Sequence, residues 1–485
     1  MSLKQINPDL LLIAPPLLWG QESRLDMKPP LNLLYLASWL NHRGFHAMIL
    51  DVISAGAPLH EVLEYIAETR PRFIGVPFYQ ATRETAITLC KEVREKFPDI
   101  WVVAGGPLVT TFPESLMSCN EIDMCVCGEG ELTLEELISS NLPSPRSEAA
   151  DRSCLAGIRG LAYCDNGTPI FTPPRPPIWN LDHLPFIDFN LIDIQRYFAY
   201  HDSINMSSWL FLTTSRGCYA RCTFCATPVL WPGGLRRQSV PRLMAEIAHQ
   251  RMLFPQSQFG FMDDSFFSDK MWLNDFFDGI VHMNVRYCCI GRADHLMPDD
   301  VRRLADTGCI YVALGIETGN QARQKTLKKY LDLDKVRTSV ALLAEHNIFC
   351  KCFFMLGFPD ETPEEMVETI NFAVELKRLG MGECNFFPVS IYPGTELAAQ
   401  ASKRTYTSVI YQKSDSNHSR ISESGKDEDI GEAKLMRYAN IPGNDVNEYF
   451  TTSQLLDIVK LAYHKVDSGQ DIALPELPKV SKLHV

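Results

Sequence analysis

The sequence predicts an α/β protein: a doubly wound parallel sheet, then a partial (β/α)6 barrel of the TIM type, then a small, mainly helical C-terminal region. Three observations carry this expectation. Short strands that are apolar on both faces alternate with amphipathic helical stretches over the first part of the chain. The alternation restarts at Leu210 and repeats six times over about 200 residues. Five prolines (Pro173, Pro174, Pro176, Pro177 and Pro185) form an extended linker between the two. At roughly 100–200 residues per domain, the chain length of 485 accommodates two to four domains. The expected division is 1–145 for the sheet domain, 146–205 for a hairpin and linker, 206–402 for the barrel and 403–485 for the C-terminal region.

Each element follows from its pattern. Asp9-Leu10-Leu11-Leu12-Ile13-Ala14 is a buried strand stopped by Pro15-Pro16. Pro30 opens a helix with Leu33, Leu34, Ala37 and Leu40 on its apolar face, ended by Gly44. His46–Leu50 is a strand ending at Asp51, Leu59–Glu68 a helix, Phe73–Val76 a strand and Glu84–Lys96 a helix. Ile100–Ala104 breaks at Gly105-Gly106-Pro107. Met124–Cys127 breaks at Gly128-Glu129-Gly130, and a helix runs on from Leu132. Sheets of this kind bind ligands at the carboxyl ends of their strands. Pro15, Asp51, Gly105, Gly106, Pro107, Gly128, Glu129 and Gly130 are therefore the candidate ligand residues of the first domain.

In the connector, Leu161–Cys164, the turn Asp165-Asn166-Gly167 and Pro169–Phe171 form a hairpin. The second series has strands at Leu210–Thr214, Gln258–Met262, Val285–Gly291, Ile310–Leu314, Phe349–Leu356 and Glu383–Ser390. Its helices are Pro241–Met252, Trp272–Met283, Asp299–Asp306, Asp334–His346 and Glu364–Leu379. Ser414–Asp429, serine-rich and charged, reads as a surface loop. Thr452 or Ser453 caps a helix carrying Leu455, Leu456, Val459 and Tyr463.

Composition narrows the function classes. With 46% hydrophobic and 22% charged residues, the chain is not of a disordered type. A net charge of -13 argues against nucleic acid as a partner. No apolar run reaches the length that spans a bilayer, and residues 1–8 lack the apolar core of a signal peptide. A reducing cytoplasm is the expected location, where 15 cysteines are not a disulfide framework. Three of them, Cys218, Cys222 and Cys225, stand in a C-x3-C-x2-C spacing directly after the first barrel strand. Chance would produce that spacing in about 1% of chains of this cysteine content. Three thiolates from one short loop each bind one iron of a cubane cluster and leave the fourth iron open for chemistry. A structural zinc site would need a fourth ligand, and no fourth Cys or His lies nearby in sequence.

This loop resembles that of the radical S-adenosylmethionine superfamily. The resemblance runs from about residue 205 to 400 and includes Phe261-Met262-Asp263-Asp264, Leu314-Gly315-Ile316-Glu317, the Gly357-Phe358-Pro359 turn and Tyr392-Pro393-Gly394. It implies a [4Fe-4S] cluster on the three cysteines, with S-adenosylmethionine chelated to the open iron and cleaved by one electron to a 5′-deoxyadenosyl radical. It also implies Phe224, Asp264, Arg292 and Glu317 as residues around S-adenosylmethionine, and an external electron donor of flavodoxin or ferredoxin type. Asp263-Asp264 has a plainer reading as the cap of the next helix.

The N-terminal pattern is similar to the cobalamin-binding domain fused to such enzymes. It consists of Pro15-Pro16, Pro30-Leu31-Asn32-Leu33-Leu34-Tyr35, Asp51, Gly105-Gly106-Pro107 and Gly128-Glu129-Gly130-Glu131. The Asp-x-His-x-x-Gly string of cobalamin mutases is absent; Asp51–Gly56 has Ile53 in the histidine slot, so no histidine cobalt ligand is assigned. Together the resemblances imply a cobalamin-dependent methyltransferase acting on an unactivated carbon of a small molecule. Cyclisation or rearrangement without methyl transfer is the alternative. A non-catalytic cobalamin sensor and an RNA methylthiotransferase fit less well, the latter because the tail is not strongly basic. The sequence names neither the substrate nor a further catalytic residue.

Overall fold

The computed structural model describes residues 7–19, 28–117, 119–140, 142–145, 153–165, 167–203, 208–402 and 447–480. The expected surface loop Ser414–Asp429 and residue Asn166 of the hairpin turn lie outside the described residues. The chain divides into two compact units: Met1–Gly217 with Thr227–Gln258, and Cys218–Ala226 with Phe259–Val485.

In the first unit, strands β1 (Leu10–Ile13), β2 (Ala47–Leu50), β3 (Phe73–Pro77), β4 (Trp101–Gly105) and β5 (Met124–Val126) are parallel, in the order 2-1-3-4-5. The chain alternates these strands with helices such as Leu31–His42, Leu59–Thr69 and Arg83–Lys96. The strands are apolar on both faces because both faces are covered. Leu11 and Ile13 enter a core with Ile66, Ile74, Leu89, Val93 and Val102. Leu10 and Leu12, on the other face, are equally buried. Each such side chain contributes roughly 1.5–3 kcal/mol by leaving water.

The hairpin of the connector is the edge of this sheet. Strands β6 (Leu161–Asp165) and β7 (Thr168–Phe171) add antiparallel to β5, so the sheet has seven strands and is mixed at one edge. The reason is that Ala162 and Tyr163 are apolar enough to be buried against β5, which the hairpin signal alone does not report. Further along come β8 (Trp209–Leu212) and a short antiparallel ribbon, β9 (Ser215–Arg216) with β10 (Arg236–Arg237).

In the second unit, β11 (Gln258–Phe261), β12 (Tyr287–Gly291), β13 (Cys309–Glu317), β14 (Phe349–Leu356) and β15 (Glu383–Pro388) follow one another in chain order, all parallel. The intervening helices match the expected ones to within a few residues, with strong local signals at their ends. Thr362 and Glu365 form a capping box, and Pro363 stands in the first turn. The helix Lys270–Ile280 is capped by Asp269, which accepts from the amides of Met271 and Trp272. Asp263-Asp264, the capping pair expected from sequence, lies too far upstream to serve it. The terminal helix Thr452–Ser468, capped by Thr451, buries Leu455, Ile458, Val459, Ala462 and Val466. The Tyr463 hydroxyl accepts the Phe386 amide of β15 at 3.0 Å.

Candidate functional site

The cysteine loop leaves the first unit after Gly217 and returns to it at Thr227. Gly217 has φ +87°, and a Cβ there would lie 2.2 Å from the Gly234 carbonyl oxygen, so only glycine fits. Thr223 sits between the second and third cysteines and is buried. Its amide donates to the Leu327 carbonyl at 2.9 Å, and its carbonyl accepts from the Leu397 amide at 2.8 Å. The Cys225 amide donates to the Cys222 carbonyl at 3.1 Å. The three cysteines are half-buried free thiols. Burial pushes the Cys218 thiol up and the Cys222 thiol up to about 11, the latter against the opposing charge of Lys329.

Among the described residues no group of three His, Cys, Asp or Glu side chains stands in a metal-holding arrangement. The chemistry of the donor set still fits an iron–sulfur cluster: three soft sulfurs on one short loop, fastened at its centre by Thr223. Their ionisation would then be driven by the metal itself.

The four residues expected around S-adenosylmethionine are brought to this loop. Asp264 and Arg292 act electrostatically on Cys218, and Arg292 and Glu317 on Cys222. Arg292 is buried, pairs with Asp294 at 2.8 Å and donates to the Lys329 carbonyl at 2.7 Å. Its guanidinium lies over the Tyr219 ring, which stacks on His295 and shares a hydrogen bond with it at 2.8 Å. Phe224 packs edge-on against Phe358 beside Leu327, Val389 and Ile391. Glu317, at the irregular end of β13, takes a left-handed φ of +70° and pairs with Lys329 at 2.7 Å. A Cβ on Gly315 would meet the Glu317 carboxylate at 2.6 Å and the Lys329 ammonium at 3.0 Å, so glycine makes room for this pair. Sequence reasoning missed Lys329, which has no motif of its own.

It also missed the carboxyl that holds the next turn. Glu361 is fully buried and accepts from the amides of Gly357 and Phe358 at 2.6 and 3.1 Å. The Asn447 side chain donates to the Phe358 and Glu361 carbonyls at 2.7 and 3.0 Å. Burial pushes the Glu361 carboxyl up to about 7, against the opposing charge of Arg323 and the two amides. A raised carboxyl pKa means that the fold prefers the protonated form. The stability it contributes is fully present below the ordinary value of 4.5 and is lost as pH rises through about 7. Between pH 4.5 and 8 the protein is expected to lose on the order of 2–3 kcal/mol that a Glu361→Gln variant does not lose. Urea unfolding of both proteins across that range checks this; parallel stability curves would refute it.

In the first unit the strand order places the topological switch between β1 and β3, so their carboxyl ends, Pro15-Pro16 and Phe78-Tyr79, open the crevice where such sheets take ligands. Phe78-Tyr79 was not legible from sequence, because strand order was not. Beside them, Gly106 has φ +94°, and a Cβ on it would press on the Phe78 backbone at 3.2 Å. Gly105, by contrast, has ordinary φ and open space around its missing Cβ, the nearest atom being at 4.0 Å. Gly128 has φ +84° and is equally open, Pro107 begins the short helix Pro107–Thr111, and Gly130 begins the helix Gly130–Ser139. Open glycines at the strand ends suit a large flat ligand.

Two of the expected ligand residues have protein partners. Asp51 caps the helix Val52–Ala55 and accepts the Tyr197 hydroxyl. Glu129 pairs with Arg216 and Arg236, both at 2.7 Å. A local motif cannot show that a carboxylate is already neutralised by side chains far away in sequence.

Comparison with known proteins agrees with both halves. Residues 23–138 match the family described as B12 binding domain, and residues 212–373 match the Radical SAM superfamily. An uncharacterized methyltransferase of Pyrococcus horikoshii is 30% identical over 396 residues, covering 80% of this chain and 82% of that one. An anaerobic magnesium-protoporphyrin IX monomethyl ester cyclase of Rubrivivax gelatinosus is 27% identical over 365 residues, covering 71% and 62%. Among solved structures, the radical S-adenosylmethionine methyltransferase TsrM of Kitasatospora setae, with cobalamin and a [4Fe-4S] cluster bound, superposes with a TM-score of 0.67. It is 20% identical, and the match covers 82% of this chain and 78% of that one. No helix among the described residues is long and apolar enough to cross a membrane.

Proposed function

This chain belongs to the radical S-adenosylmethionine enzymes that carry a B12-binding domain, and on that premise we propose that it methylates an unactivated carbon of a small molecule. The observation that carries the reading is the C-x3-C-x2-C loop, fastened at Thr223, with Asp264, Arg292 and Glu317 close enough to act electrostatically on its thiols. With its cofactors bound, the cluster and S-adenosylmethionine supply a hydrogen-abstracting 5′-deoxyadenosyl radical, and cobalamin supplies the methyl group.

The chain's own residues hold and shield these groups. Cys218, Cys222 and Cys225 ligate three irons. Arg292 and Lys329 offset the negative charge of the thiolates. Glu317, held at its strained turn by Lys329, would accept hydrogen bonds from cofactor hydroxyls. Phe224 gives the adenine an apolar wall. Pro15, Gly105, Gly106, Pro107, Gly128 and Gly130 form the shelf for cobalamin, beside Asp51 and Glu129, whose carboxylates are engaged by protein partners. In this reading residues 1–145 take cobalamin, 206–402 form the partial barrel, and 403–485 set substrate choice. An external flavodoxin- or ferredoxin-type donor supplies electrons.

The test is anaerobic reconstitution with iron, sulfide and hydroxocobalamin. About four irons and one cobalt per chain are expected, with S-adenosylhomocysteine and 5′-deoxyadenosine formed together on turnover. Iron without cobalt would remove the cobalamin half. A product without an added methyl would move the reading to the cyclisation that the Rubrivivax relative's name describes.

A further inference from the structure

Four buried charges in the first unit have no part in the proposed chemistry. Arg216 Nη1 meets Glu129 Oε2 at 2.7 Å, and Arg216 Nη2 meets Glu131 Oε1. Arg236 Nη2 lies 2.7 Å from Glu129 Oε1, and its Nη1 donates to the Ile178 carbonyl at 2.5 Å. None of the four side chains is more than 8% exposed, and the two guanidinium groups balance the two carboxylates. The Trp231 ring lies 5.4 Å from one guanidinium and 5.9 Å from the other. A buried quartet of this kind gives little net stability over apolar packing, so its use is to hold one arrangement against others.

The arrangement it holds joins two places in the chain. Glu129 and Glu131 flank Gly130 in the turn after β5, the turn assigned above to cobalamin. Arg216 ends β9, whose pairing with β10 closes the base of the cysteine loop, two residues before Cys218. Gly217 between them has no slack, because the Gly234 carbonyl fills the place of its Cβ.

We propose that Glu129, Glu131, Arg216 and Arg236 are positioning residues that couple the β5 turn to the base of the cysteine loop, so that filling one cofactor site favours filling the other. A ligand resting on Gly128 and Gly130 settles the two carboxylates; these orient Arg216, and Arg216 sets the direction in which the chain enters Cys218. By linkage the effect is reciprocal. The inference rests on the cofactor assignments above.

Hydroxocobalamin affinity is measured anaerobically for the full chain with and without its iron–sulfur cluster, together with the EPR spectrum of the reduced cluster. In the unaltered protein the cluster is expected to tighten cobalamin binding by about fivefold or more. In Glu129→Gln, and in Glu131→Gln, that ratio falls to about one while each cofactor still loads. Arg216→Lys, which keeps the charge but loses the two-pronged fork, tests the same point if a glutamine variant fails to fold. A ratio of one in the unaltered protein, or an unchanged ratio in the variants, overturns the proposal. If no cobalamin binds at all, the functional reading has failed instead, and the EPR signal decides: a spectrum identical in unaltered and variant proteins overturns the coupling too.

Discussion

Replacing Cys218, Cys222 and Cys225 together with alanine is expected to bring both iron incorporation and 5′-deoxyadenosine formation to background, with cobalamin still bound but about fivefold more weakly, as in the cluster-free protein. The size of the effect follows from the ligand count. A cubane held by three sulfurs of one loop has no protein ligand left when they are removed, and no fourth cysteine or histidine lies near in sequence to replace one. The fold should survive. The thiols are only half-buried, and the loop is held by the two hydrogen bonds of Thr223 and by Gly217, none of which the substitutions touch. A stability change within about 1 kcal/mol is therefore expected. Iron analysis, deoxyadenosine by mass spectrometry and a thermal melt check the three parts. Deoxyadenosine at the unaltered level would sink the assignment of the loop.

Gly105→Phe is expected to lower bound cobalt at least about tenfold while iron content stays unchanged. The reason lies in the contrast with its neighbour. Gly106 is glycine for the fold's sake: its φ is +94° and the Phe78 backbone stands 3.2 Å from any Cβ. A Gly106→Ala change should therefore cost about 1–3 kcal/mol of stability by strain. Gly105 has neither constraint: its φ is ordinary, and the atom nearest an added Cβ, the Val126 carbonyl oxygen, is 4.0 Å away. If the space there belongs to the corrin, phenylalanine competes with it. Cobalt and iron counts on the reconstituted variant decide this, and an unchanged cobalt count would show that the ligand does not rest on Gly105.

Much of the site's first layer was legible in sequence for a physical reason: it is made of short-range features. The spacing of Cys218, Cys222 and Cys225 is set by one loop. Phe224 is next to a cysteine, and Glu317 ends a strand whose apolar run announces it. What holds that layer was not legible. Thr223 is bound to Leu327 and Leu397, Glu317 to Lys329, and the Gly357-Phe358 turn to Glu361 and Asn447. These partners are up to 174 residues away in the case of Thr223 and Leu397, and a hydroxyl, an ammonium or an amide carries no sign of which distant backbone it will meet.

By itself the sequence determined the two series of parallel strands, because strands covered on both faces must be apolar throughout and the helices between them must be amphipathic. It also determined the cysteine loop, because ligand spacing is a local property. Tertiary structure alone decided the rest. The order 2-1-3-4-5, and with it the crevice beside Phe78, depends on which strands pair, not on what each strand is made of. The hairpin's place at the sheet edge depends on the pairing of Ala162 with Cys125. Whether an acid at a turn is a ligand or a strut depends on where its counter-charge arrives. Glu129 reads as a ligand in sequence, yet Arg216 and Arg236 neutralise it from 87 and 107 residues away.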